Sequence, residues 1–301
     1  MNHFAAPPPL QKGQTVFLVS PARKLNPEDI EIAVKIFKEW GLQVRLGEHL
    51  FAEAGQFAGD DAQRTADMQT ALDNPEIHAI VCVRGGYGTS RILDNLDFQH
   101  FVKSPKWISG FSDITALHSH LHRLRVQSIH STMPICFDTD NPDSIESLRK
   151  ALFGEELNYK IPHHHLNRIG TGKGLTVGGN LSVFASVIGT ASDVKTEGKI
   201  LFLEDTDEYL YHIDRMTVQL KRSGKLKDLM GLVVGNFSKI HDNGVPFGKN
   251  VNEIIAEAVA EYDYPVCFDF PFGHSPENMA LPCGREAILE VSETEVNLKF
   301  L

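Results

Sequence analysis

Three short segments carry side chains able to act together on an acyl group. In the first, Trp107-Ile108-Ser109-Gly110-Phe111-Ser112-Asp113-Ile114-Thr115, an apolar strand pattern runs into a serine. A helix pattern with Ile114, Leu117, Leu121 and Leu124 on one face starts immediately after it. A serine on such a turn stands at the top of a sheet, its oxygen exposed and backbone N–H groups at the helix start placed to stabilise an oxyanion. Ser112 is therefore a candidate nucleophile. The match to G-x-S-x-G stops at Ile114, and Ser-Asp ahead of a helix is equally an ordinary N-cap.

The second segment, Cys82-Val83-Arg84-Gly85-Gly86-Tyr87-Gly88, follows a buried strand pattern, where ligands sit in open α/β sheets. It lacks the Gly-Lys-Ser/Thr ending of a phosphate loop, and Arg91 stands where the third glycine of a dinucleotide fingerprint belongs. A nest for an oxyanion or carboxylate remains, beside the alternative of a glycine-rich turn with no ligand.

A nucleophilic serine needs a base within reach and an acid to orient that base. Leu201-Phe202-Leu203 runs into Glu204-Asp205, and Pro271-Phe272-Gly273-His274 follows a strand pattern at 266–270. Taken singly, an acid after a strand is usually a solvated turn and a loop histidine is unremarkable. Their joint placement singles them out, since Glu204 and His274 would face Ser112 across a domain cleft. Other histidines build no metal site: His118 and His122 share a helix face, but no Glu lies between them, and the nearest acid, Asp113, is better used as a cap. They read as surface residues, with His120, and the triplet His163-His164-His165 as solvated loop.

Positioning these groups takes a particular set of elements. Over the first 135 or so residues, short apolar runs (16–19, 79–83, 106–111, 127–130) alternate with helix patterns (30–40, 63–72), which predicts a parallel sheet with helices on both faces. The polar, proline- and glycine-bearing stretch 157–173 predicts a linker between a domain at 1–156 and another at 174–301. The second domain reads as mixed and strand-rich, with strands near 199–203 and 229–234, helices between and after them, and a closing hairpin at 287–291 and 296–300.

Composition sets the outer limits. The 301 residues suit two domains at roughly 100 to 200 residues each, and no apolar run approaches the roughly 18 residues needed to span a bilayer. Thirty-nine acidic residues against twenty-nine basic give a net charge of −10, which disfavours nucleic acid as a partner. The start of the chain lacks the pattern of a secretory signal, and Pro7-Pro8-Pro9 reads as a short extended arm. Cys82, Cys136, Cys267 and Cys283 form no CxxC pair and read as reduced thiols, with a cytoplasmic setting.

Taken together, the segments resemble the serine-type LD-carboxypeptidases, a family that includes murein tetrapeptide carboxypeptidases and microcin immunity hydrolases. The resemblance covers nearly the whole chain. It rests on Arg84-Gly85-Gly86-Tyr87-Gly88, Gly110-Phe111-Ser112-Asp113-Ile114-Thr115, Gly178-Gly179-Asn180-Leu181, Leu203-Glu204-Asp205, Tyr211-His212-Ile213-Asp214-Arg215-Met216 and Gly273-His274, in that order. It implies an α/β fold: a Rossmann-like N-terminal domain carrying the nucleophile, and a smaller, strand-rich mixed α+β C-terminal domain carrying the Glu and His. It further implies a triad of Ser112, His274 and Glu204, and an oxyanion hole from the N–H of Asp113 and of Gly85 or Gly86. A homodimer and no metal or cofactor are also expected.

The reaction so implied is hydrolysis of an L,D-amide, releasing D-alanine from murein tetrapeptide in cell-wall recycling. Arg84 would pair with the substrate carboxylate, or else make an inter-domain or surface ion pair, and Gly178-Gly179-Asn180 would line the cleft or form a tight turn. Two departures stand out. Ser131-Thr132 replaces the Gly-Pro that relatives usually carry after the histidine, at the pocket wall. The loop at 157–173 offers Tyr159 but no tryptophan to stack a nucleobase, and Trp40 and Trp107 fall on a helix and a strand. That tilts the expectation toward a peptide substrate. The alternatives are an immunity-type hydrolase of aminoacyl nucleotides and a non-catalytic module that binds a small carboxylate.

Overall fold

The structure, a computed structural model, describes residues 4–301. Five strands, β1 (Thr15–Val19), β2 (Gln43–Leu46), β3 (Ala79–Cys82), β4 (Trp107–Gly110) and β5 (Ser128–His130), run parallel. All but the edge strand β2 are buried along their length, because helices cover both faces of the sheet. Those covering helices are α1 (Glu31–Glu39), α2 (Asp61–Asp73), the single turn α3 (Thr89–Ile92), α4 (Thr115–Arg123) and α5 (Pro142–Phe153). Strands β2 and β3 pair on opposite sides of β1, so the winding reverses there and opens a crevice at the strands' C-terminal ends.

The second sheet contains β6 (Asn158–Pro162), β7 (Gly170–Asn180), β8 (Lys199–Thr206), β9 (Gly231–Ser238) and β10 (Val266–Cys267). Strand β11 (Leu281–Cys283) instead pairs antiparallel with β5 of the first sheet, before β12 (Glu286–Val291) and β13 (Glu295–Phe300) complete the second. Its order is β10-β9-β8-β7-β12-β13-β6, parallel from β7 to β10 and antiparallel beyond. Helices α6 (Leu181–Ser186), α7 (Leu210–Arg222) and α8 (Val251–Ala258) connect the parallel strands. The expected Rossmann-like sheet and mixed, strand-rich C-terminal sheet are both present.

Residues 157–173 are not the irregular linker that their composition predicts. Strand β6 pairs with β13, and β7 begins at Gly170. The edge position hides β6 from pattern reading: Asn158 and Lys160 face water while Tyr159 is buried. The glycines of β7 serve close packing as well as turning, since a Cβ at Gly172 would strike the Met230 carbonyl.

The proline arm is tied down. Pro8 accepts from the Trp107 indole at 3.0 Å, and Ala5 exchanges backbone hydrogen bonds with Arg125 and Gln127 at 2.8 and 2.9 Å. The first three residues of that segment lie outside the described residues. One apolar cluster runs from Val16 and Leu18 through Ile129 and Leu281 to Phe202 and Phe272, so the two sheets share a core. Among the described residues no helix is long and apolar enough to cross a membrane.

Candidate active site

The ends of β4 and β8 and the loop after β10 converge where the sheets meet. Gly110 closes β4, and two residues later Ser112 adopts φ +63, a left-handed conformation uncommon for a residue with a Cβ. A 3₁₀ turn over Ser112–Ile114 then leads into α4. This is the geometry of a nucleophile elbow, which lifts the serine hydroxyl above the sheet.

From the second sheet, His274 Nε2 lies 3.0 Å from Ser112 Oγ and its Nδ1 lies 2.7 Å from Glu204 Oε2. A carboxylate only accepts, so Nδ1 carries the proton and the Nε2 lone pair faces the serine hydroxyl, which donates to it. Glu204 is fully buried near the C-terminal end of β8, and its second oxygen has no partner among the described residues. Burial pulls the His274 imidazole toward neutrality, but the Glu204 carboxylate, helped by Asp205 and opposed by Lys239, leaves its pKa raised above the ordinary value. Gly273, at φ +112, is required here, because a Cβ would meet the Glu204 side chain at 2.8 Å.

Asp205 turns away from the histidine. It accepts from Asn180 Nδ2 at 2.7 Å and from the N–H of Ser182 at 2.9 Å, and burial beside Glu204 pushes it up to about 7. Asn180 in turn donates its N–H to Thr115 Oγ1 at 3.0 Å. Gly179 permits this approach, since any Cβ there would collide with Thr115. Gly178-Gly179-Asn180 is thus the end of a strand and not a tight turn, and ties the serine's helix to the acid-bearing strand.

Gly85 packs against the nucleophile: a Cβ would lie 3.0 Å from Ser112 Cβ and 3.4 Å from Asp113 N. The N–H groups of Gly85 and Gly86 make no hydrogen bond among the described residues. Asp113 is not a helix cap, contrary to the sequence reading. Its buried carboxylate accepts from the N–H of Thr89 at 2.7 Å and so fastens the glycine loop to the serine turn. Gly85→Ala is expected to lower kcat about 10²-fold, the scale of a lost oxyanion donor. Steady-state kinetics beside a thermal melt would check it, the melt showing a folded protein.

Arg84 is partly committed elsewhere, donating through Nη1 to the Lys24 carbonyl at 2.6 Å. The cation the sequence reading missed is Arg23. It is exposed, makes no ion pair among the described residues, and lies against Gly86 at the β1/β3 crevice. Its place just after the first strand was the available signal.

The helix histidines also differ from expectation. His118 and His122 are buried, because α4 lies between the first sheet and α6 and β7. His118 bonds Ser128 Oγ and the Gly110 carbonyl, both at 2.8 Å, and burial pushes it down to about 4. It is a neutral strut behind the serine strand. Tyr159 is also buried, with its hydroxyl on the Ala280 carbonyl at 2.8 Å. Of the triplet, His163 bonds the Ser292 carbonyl at 2.7 Å. Among the described residues no group of His, Cys, Asp and Glu is arranged to hold a metal ion.

A serine on a left-handed turn, an imidazole at its oxygen and a carboxylate behind that imidazole define a serine hydrolase. The comparisons narrow this class. Residues 16–131 match the LD-carboxypeptidase N-terminal domain and residues 173–289 the LD-carboxypeptidase C-terminal domain, so the chain belongs to the LD-carboxypeptidase family, serine hydrolases acting on small peptide or acyl substrates. It is 36% identical to a probable murein peptide carboxypeptidase of Bacillus subtilis, over 95% of this chain and 92% of that one. The crystal structure of muramoyltetrapeptide carboxypeptidase from Oxalobacter formigenes matches with a TM-score of 0.86 at 27% identity, over 95% and 98% of the two chains. MccF in complex with glutamyl sulfamoyl guanosine shares the fold, with a TM-score of 0.86 at 19% identity over 98% of each chain.

Proposed function

We propose that this protein is a cytoplasmic, homodimeric serine carboxypeptidase that releases the terminal D-alanine of murein tetrapeptide. We further assign the nucleophile to a domain at 1–156 and its acid and base to one at 174–301. The observation that carries the reading is the hydrogen-bonded line from Ser112 through His274 to Glu204. The relatives named for murein peptides support the choice of substrate.

Ser112 Oγ attacks the carbonyl of the penultimate residue as His274 Nε2 takes its proton. The oxyanion forms at the N–H of Asp113 and of Gly85 or Gly86. As the tetrahedral intermediate collapses, the imidazolium gives that proton to the departing amine of D-alanine, and water, deprotonated by the same nitrogen, frees the acyl-serine. Glu204 holds the tautomer and answers the imidazolium charge. Arg23, alone or with Arg84, meets the substrate's terminal carboxylate.

Only neutral His274 can accept the serine proton, so activity must fall as pH drops through its pKa. That pKa is raised, chiefly by Glu204 against the pull of burial, so the acid limb of kcat/KM is expected above the ordinary histidine value of 6.5. A pH–rate profile checks it.

A second reading is hydrolysis of an aminoacyl nucleotide. Beyond β8 and its catalytic-type acid, Tyr209 and Tyr211 stand exposed, 5.6 Å apart, with Tyr209 5.4 Å from His241. These rings offer the stacking surface that buried Tyr159 does not. The two readings separate when wild-type protein meets muramoyl tetrapeptide and an aminoacyl adenylate in parallel. Faster tetrapeptide cleavage is expected; hydrolysis of the adenylate alone would transfer the assignment to the second reading.

A further inference from the structure

A cavity of about 210 Å³ lies at the opposite end of α4 from Ser112. One wall is the C-terminal end of α4 and the segment after it, with His122, Arg123 and Arg125; the other is the approach to β8, with Lys195 and Lys199. Nine helical residues separate Ser112's turn from this end, and Lys199 opens the strand that carries Glu204 five residues further on. At about 1.5 Å per helical residue and 3.3 Å per strand residue, the cavity is on the order of 15 Å from the triad, at the far edge of the sheet.

Two independent observations mark it as a built site. First, Arg123, Arg125, Lys195 and Lys199 converge there, and none makes an ion pair with a described residue, in a chain whose net charge is −10. Lys199 reaches only the Glu197 carbonyl, at 3.3 Å. Second, His122 is 94% buried, lines the cavity, and has no partner for either ring nitrogen among the described residues. Its ring packs on Phe4, with centroids 4.6 Å apart. Buried polar atoms left so are rare, and an imidazole flanked by four cations lacks an acceptor, not a donor.

We propose that this cavity binds a phosphate group, free or carried on a small metabolite, with His122 donating an N–H to one oxygen and the four cations answering the charge. Its volume falls below the roughly 300 to 1,000 Å³ of pockets that enclose larger ligands, which fits a small dianion better than a nucleotide. Burial lowers the pKa of His122, and Lys199 and Arg123 lower it further, a repulsion that a bound anion relieves; Lys199 is also lowered by burial, with the Glu197 carboxylate opposing and Lys195 pulling the same way as burial. Because the walls come from α4 and from the lead into β8, the anion would bridge the serine-bearing and glutamate-bearing parts of the chain.

The test is phosphorus NMR titration and thermal melting of the full chain with inorganic phosphate, against chloride at equal ionic strength. Saturable binding and a raised Tm are expected in wild type, and in Arg23→Ala, which removes the free cation beside Gly86. In Arg125→Ala/Lys195→Ala, two exposed sites whose loss spares the core, affinity should fall about tenfold or more, the scale of a lost charge-assisted hydrogen bond. His122→Phe should weaken binding likewise. Absence of saturable binding in wild type, or full binding in the double variant, would overturn the proposal. Glycerol 3-phosphate as a second probe separates the sources: tighter binding than inorganic phosphate assigns a phosphorylated metabolite, weaker binding free phosphate.

Discussion

Ser112→Ala is expected to reduce kcat by about 10⁴- to 10⁶-fold while leaving KM and Tm nearly unchanged. The variant keeps the turn, the glycine loop and His274, so substrate still binds, but nothing remains to form the acyl-enzyme. Residual turnover would come from the N–H groups of the oxyanion hole acting on a direct attack by water. A serine-reactive phosphonate should label wild type with one equivalent and leave the variant unlabelled. Rapid labelling of the alanine variant would place the nucleophile elsewhere. His118 with Ser128 and His120 with Ser192 form further close histidine–serine pairs on α4, the first of them fully buried.

Glu204→Gln should cost about 10⁴-fold in kcat at neutral pH with little loss of stability. The amide keeps the shape of the side chain but can donate to Nδ1. That drives the His274 proton to Nε2, where it faces the serine hydroxyl as a donor and removes the base. The carboxylate that raises the His274 pKa is also lost, so the acid limb of kcat/KM should move to lower pH. That movement separates loss of charge from general damage, which would leave the limb in place. Asp205→Asn should not move it comparably, since Asp205 spends its oxygens on Asn180, Ser182 and Thr206.

That Ser112, Glu204 and His274 stand together was legible in the sequence because each follows an apolar strand pattern, and strand ends are where an α/β sheet presents chemistry. What lay hidden depended on packing between segments distant in sequence. Strand β6 looked like linker because an edge strand shows polar residues to water on one side. Arg23 was missed because its place after β1 marks a strand end without showing that the β1 and β3 loops meet there. His118 and His122 looked exposed because a histidine-rich helix face gives no sign that a second sheet will cover it. Asp113 read as a cap from local spacing, whereas its partner, Thr89, belongs to the glycine loop.

The proposed cleavage of an L,D-amide by Ser112, with His274 and Glu204 behind it, has a direct readout. It is tested most directly by measuring free D-alanine released from muramoyl tetrapeptide by wild type and by Ser112→Ala. One equivalent of D-alanine and the corresponding tripeptide from wild type, with release at background in the variant, is the predicted result. Equal release from both proteins, or none from wild type, would contradict the account.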